Sequence, residues 1–74
     1  MKMKNRKERD FVKKICEELN FEVIVSRIKI LESGEKDGKI DSVLFEDRFG
    51  IQYLVYYNKY GFPKYRRLTF KGGE

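Results

Sequence analysis

Hydrophobic positions divide the chain into one stretch of helical period followed by several of strand period. Over residues 5–19, Phe11, Val12, Ile15, Cys16 and Leu19 fall at i, i+1, i+4, i+5 and i+8, one apolar stripe at 3.6 residues per turn. Asn5 with Glu8 three residues on forms a capping-box pattern, with Asn in the place of Ser or Thr. Asn20 suits the left-handed residue that ends a helix, and Phe21 behind it is placed to pack back on Cys16. The period then changes. Residues 21–31 are rich in Val and Ile; Phe21, Val23 and Val25 alternate on one face, and Ile28 and Ile30 continue on the opposite parity. That pattern predicts a first strand with a bulge near Ser26 and Arg27. Residues 32–38 are polar with two glycines and predict an exposed loop. Residues 40–46, 51–57 and 64–70 predict three further strands, separated by the turns Asp47-Arg48-Phe49-Gly50 and Asn58-Lys59-Tyr60-Gly61. Turns this short join antiparallel neighbours. The expected fold is therefore α+β, an N-terminal amphipathic helix packed on a four-stranded, mainly antiparallel β-meander in the order αββββ. One sheet face is covered by the helix; the other meets solvent or a second copy.

With 74 residues the chain has room for a single domain, 1–74, of which 1–4 and 71–74 read as flexible ends. A domain of this size buries only about 60% of the surface its unfolded chain exposes. Cys16 is the only cysteine and there is no histidine, so neither an internal disulfide nor a zinc site can add support. A homodimer, formed through the open sheet face or the edge of the last strand, is the expected substitute. No run approaches the about 20 apolar residues that span a bilayer, and no apolar segment follows the basic residues 1–7. No membrane association is expected, and an unpaired cysteine suits the cytoplasm. A charged fraction of 39% without Ala or His is the composition of heat-adapted sources or AT-rich genomes.

Charge is unevenly placed. Residues 1–20 carry net +3, residues 21–50 net −2 and residues 51–74 net +4. The last segment interleaves its cations with Tyr53, Tyr56, Tyr57, Tyr60, Phe62, Tyr65 and Phe70. Phosphates attract cations, and unpaired bases stack on aromatic rings for about 1–3 kcal/mol each. These ingredients point to non-catalytic nucleic-acid binding with weak sequence preference. Its candidate residues are Tyr56, Tyr57, Lys64, Tyr65, Arg66, Arg67 and Lys71, with Lys4, Arg6 and Lys7 as an auxiliary clamp. Lysines at a helix N-terminus oppose its dipole, which marks that cluster as charge kept for a partner. Neighbours on a strand point to opposite faces, so only one of Arg66 and Arg67 belongs to any one face. Tyrosine is also a routine strand residue, and that structural role competes with the functional one at each position.

Catalysis is not expected. Without histidine a Cys–His nucleophile is impossible, and Cys16 lies on the apolar stripe as a small hydrophobe. The acids Glu32, Glu35, Asp37 and Asp41 lack the spacing of an EF-hand loop, so no metal, cofactor or small-molecule substrate is implied. The order of a helix bearing Glu8, a strand, Asp41 in the next strand and then residues 53–58 resembles the core of restriction-endonuclease-like nucleases. In that family an Asp and a downstream Glu/Gln-x-Lys bind metal and activate water. Here the downstream positions are Tyr56 and Asn58, so the resemblance implies a degenerate nuclease-like domain that retains nucleic-acid binding. A different class fits the same aromatic and Arg residues: a small adaptor or inhibitor, of the kind viruses and plasmids encode, docking on a larger protein.

Overall fold

The apolar stripe folds as helix α1, Arg6–Leu19, in a computed structural model that describes residues 5–68. Its C-terminal end follows the expectation. Asn20 takes φ 58°, the Phe21 N–H donates to the Cys16 carbonyl at 2.9 Å and the Asn20 N–H to the Glu17 carbonyl at 3.3 Å, the paired bonds of a Schellman end. The N-terminal end corrects it. Asn5 is itself left-handed (φ 60°) and its side chain makes no capping bond, because a cap requires extended backbone at that residue. Glu8 instead accepts from Ser33 Oγ at 3.5 Å, a tertiary contact in place of the capping box.

The segment after the helix is shorter in strand and longer in irregular backbone than its Val and Ile content predicts. Phe21, Val23 and Val25 do alternate inward, but this stretch pairs with no strand. The change of parity at Ser26 and Arg27 is a single 3-10 turn, Val25–Arg27, not a bulge. Arg9 holds that turn: its Nη1 donates to the carbonyls of Val25 (2.7 Å) and Ile28 (3.1 Å). Strand β1 then runs Lys29–Lys36, through most of the residues that read as a loop, and the true turn is only Asp37-Gly38, both at positive φ (56° and 79°). Two bulges do occur, elsewhere: Leu31 on β1 and Asp41 on the next strand each lack a register partner.

Strands β2 (Lys39–Glu46), β3 (Gln52–Tyr57) and β4 (Pro63–Arg67) complete an antiparallel sheet of order β1-β2-β3-β4. The continuation of the last strand to Phe70 lies outside the described residues, as do Lys4, Lys71 and the two ends expected to be flexible. Val12, Ile15 and Cys16 of α1 meet Ile28, Val43, Phe45 and Val55 in one buried cluster. Packing against this cluster is what fixes the sheet's inner face, since alternation puts Val43, Phe45, Tyr53, Val55 and Tyr57 toward the helix. No helix among the described residues is long and apolar enough to cross a membrane.

Candidate nucleic-acid interface

The pleat sorts the sequence-predicted residues into two groups. On the helix side lie Tyr57, Tyr65 and Arg67. Tyr57 meets the edge of Phe11 with ring centres 5.6 Å apart, and its hydroxyl donates to Glu18 Oε1 at 2.8 Å. Burial, then the bond to Glu18 and the Glu18 charge, push its phenol up to about 12. Tyr65 stacks on Phe21 at 4.8 Å yet leaves half of its surface open, and Arg67 stands opposite Tyr53 in register and is exposed. On the open side lie Tyr56, Lys64 and Arg66. Tyr56 and Tyr57 are thus separated by the whole thickness of the sheet, and Tyr57 acts in packing.

Lys64, Tyr65, Arg66 and Arg67 nevertheless share one feature, since β4 is an edge strand. Side chains of both faces flank the same edge, so a linear ligand laid along β4 can reach Arg66 from one side and Arg67 from the other. The hairpin that leads into β4 adds three residues absent from the predicted set. Its turn, Asn58-Lys59-Tyr60-Gly61, exposes Tyr60, sets Lys59 Nζ 5.3 Å over that ring and is followed by exposed Phe62. The β2–β3 turn is built the same way, with Arg48 5.0 Å over exposed Phe49. In both, one Asx side chain accepts two amides: Asp47 Oδ1 from Phe49 (2.8 Å) and Ile51 (3.0 Å), Asn58 Oδ1 from Tyr60 and Phe62 (2.9 Å each). Gly50 and Gly61, each at φ 84°, then turn the chain back in a conformation that side chains with a Cβ resist. The sequence signal for these tips was the repeat Asx–cation–aromatic–Gly, visible as turn chemistry but not as a binding feature.

Arg6 and Lys7 are exposed on the first turn of α1, on a different element from β4. Arg9, part of the same basic run, is committed to the 3-10 turn. Cys16 is buried and its thiol is pushed up to about 11 by that burial, which suppresses the reactive thiolate. Asn58, at the position of the nuclease lysine, is occupied by its turn; Asp41 sits on the β2 bulge, and the described residues hold no metal-binding cluster of acids and thiols. A second surface is a groove of ≈ 920 Å³ between the end of α1, residues 21–28 and the β2–β3 turn, where apolar Phe21, Ile24 and Phe49 share the lining with charged Lys13, Glu17 and Arg48. Comparison with known proteins returns no matching family model, no similar curated protein and no similar solved structure, so this surface is read from its own residues.

Proposed function

We propose that the protein is a non-catalytic binding module that takes single-stranded nucleic acid along the β3–β4 hairpin, with weak sequence preference. One observation carries this reading. Residues 51–68 contain Lys59, Lys64, Arg66 and Arg67 and no acid, and the fold gathers all four on one hairpin beside the exposed rings of Tyr60, Phe62 and Tyr65. Cations that track a backbone and rings that accept any base give affinity without base-edge readout. Double-stranded ligands fit less well, because rings at a hairpin tip need unstacked bases.

The test is a titration of labelled single- and double-stranded DNA and RNA at two salt concentrations. Four phosphate contacts give a logarithmic salt slope of about −3, roughly a fifty-fold loss in affinity between about 50 and 200 mM. Replacing Lys64, Arg66 and Arg67 together by Ala leaves a slope near −0.7, only about a three-fold loss over that range. Absence of binding at ~50 mM salt ends the proposal. The groove beside exposed Phe49 favours a second reading, docking on a larger protein. An interface of that kind changes little with salt, so the same titration logic separates the two. The proposal also includes a second copy of the chain as a partner, because no element among the described residues covers the sheet face opposite α1.

A further inference from the structure

The sheet face opposite α1, which no element among the described residues covers, has a pattern that its sequence hides, because the residues that form it are far apart in the chain. Register places Glu32 opposite Leu44, Leu44 opposite Leu54 and Leu54 opposite Arg66. One straight row therefore crosses all four strands on the open face, reading acid, Leu, Leu, base. The adjacent row reads Gly34, Ser42, Tyr56, Lys64. Both rows are asymmetric from end to end, and the asymmetry is of a kind that a two-fold rotation can satisfy.

Resting on the reading of this face as a site for a second copy, we infer that two chains pair face to face about a two-fold axis parallel to the strands, between β2 and β3. That rotation lays β1 over the partner's β4 and β2 over the partner's β3 while keeping each row in place. Glu32 then faces Arg66 of the partner subunit, Leu44 faces Leu54 of the partner subunit, and Tyr56 lies over the small Ser42 of the partner subunit. Stacked sheets stand about 10 Å apart and align to within about 30°, which is the separation these side chains fill. The other face-to-face two-fold, perpendicular to the strands, sets Glu32 against its own copy and Arg66 against its own, so charge selects the first axis. Edge pairing is disfavoured by the same logic. Two copies of β4 side by side bring Lys64, Arg66 and Arg67 against the same three cations, and the bulge at Leu31 interrupts the β1 edge. The pairing uses Arg66, one of the four cations assigned to nucleic acid, and leaves Arg67, Lys59, Tyr60 and Phe62 at the rim.

The experiment is light scattering with sedimentation, in the absence of nucleic acid, from low micromolar to about 1 mM chain. The wild type is expected to move from 8.9 kDa toward twice that mass. Glu32→Lys and Arg66→Glu each set like charges over each other twice per dimer and should weaken pairing by about tenfold or more. The two changes together restore the complement, and so does mixing the two single variants in equal amounts. Recovery in the double variant also shows that the single variants had folded sheets. A wild type that stays monomeric throughout, or single variants that pair as well as it does, overturns the inference. So does a Leu54→Ser variant that loses nucleic-acid affinity while the wild type remains monomeric, because the face then belongs to nucleic acid. Oligomeric state and nucleic-acid titration are separate readouts, so the failure of one proposal is distinguishable from the failure of the other.

Discussion

The two faces of this sheet are made from alternating residues of the same strands, yet they differ in almost every physical respect. The face under α1 places Phe45, Val43 and Val55 at 0% exposure and ties Tyr57 to the helix by a ring contact and a hydrogen bond. The opposite face carries Leu44, Leu54 and Tyr56, none fully buried, between Glu32 on one outer strand and Lys64 and Arg66 on the other. Leu54 and Val55, Tyr56 and Tyr57, Arg66 and Arg67 are pairs of similar residues given different tasks by one step along the chain. Val55 and Tyr57 pack under α1 while Leu54 and Tyr56 face outward, and both arginines stay exposed on the edge strand. Among the described residues the single helix covers one sheet face, which leaves the opposite face, the edges and the turns exposed.

The largest test of the contrast compares Phe45→Ala with Leu44→Ala, one strand position apart. Phe45 is fully enclosed, so its loss removes both transfer energy and packing and is expected to destabilise by about 3–5 kcal/mol. In a small domain that is most of the folding free energy, and urea unfolding should show little or no folded baseline. Leu44 on the open face should change the midpoint by less than about 1 kcal/mol when measured at low micromolar chain. Similar losses at the two positions would mean that the open face is itself packed in the monomer.

The helix, its Schellman end and the three later strands were legible in the sequence because each is specified locally, by period and by a turn residue. The first strand was not, for a physical reason: β1 is an edge with one neighbour, and polar residues such as Glu32, Ser33 and Glu35 are compatible with a strand exposed to water. The signal that was present, Asp37-Gly38, is a two-residue hairpin turn that reads equally as part of a longer loop. The candidate site was legible in composition and in alternation, which already barred Arg66 and Arg67 from one face. What alternation alone lacked was register. Only pairing across strands shows that Glu32, Leu44, Leu54 and Arg66 form one row, or that β4 lies at the sheet edge, where side chains of both faces flank one line.

A smaller effect belongs to Tyr57→Phe. The substitution keeps the ring against Phe11 and removes the hydroxyl that donates to Glu18, a loss of about 1 kcal/mol. The phenol's folded value, about 12, lies above the ordinary 10, so the protonated form is the one that folding favours. Its contribution is therefore complete below pH 10 and disappears as pH rises toward 12. Thermal unfolding of wild type and variant should differ at pH 7 to 9 and converge above pH 11. Curves that stay parallel through that window would show that the hydroxyl does not couple to folding.

The smallest effect is expected from Tyr56→Phe, the open-face counterpart of the same chemical change. No hydrogen bond or ring contact among the described residues engages the Tyr56 side chain, so removing its hydroxyl leaves the monomer's packing and hydrogen bonding as they were. Stability at neutral pH should stay within about 0.5 kcal/mol of wild type. Low micromolar chain is required, since pairing over Ser42 of a second copy would otherwise enter the measurement. At high concentration the prediction reverses in kind. The ring remains to fill the space over the small residue, so dimerisation should survive Tyr56→Phe and fall with Tyr56→Ala, which light scattering can read on the same two samples. A Tyr56→Phe loss as large as that of Tyr57→Phe would refute the division between the faces, because it would give the open tyrosine a partner inside its own chain.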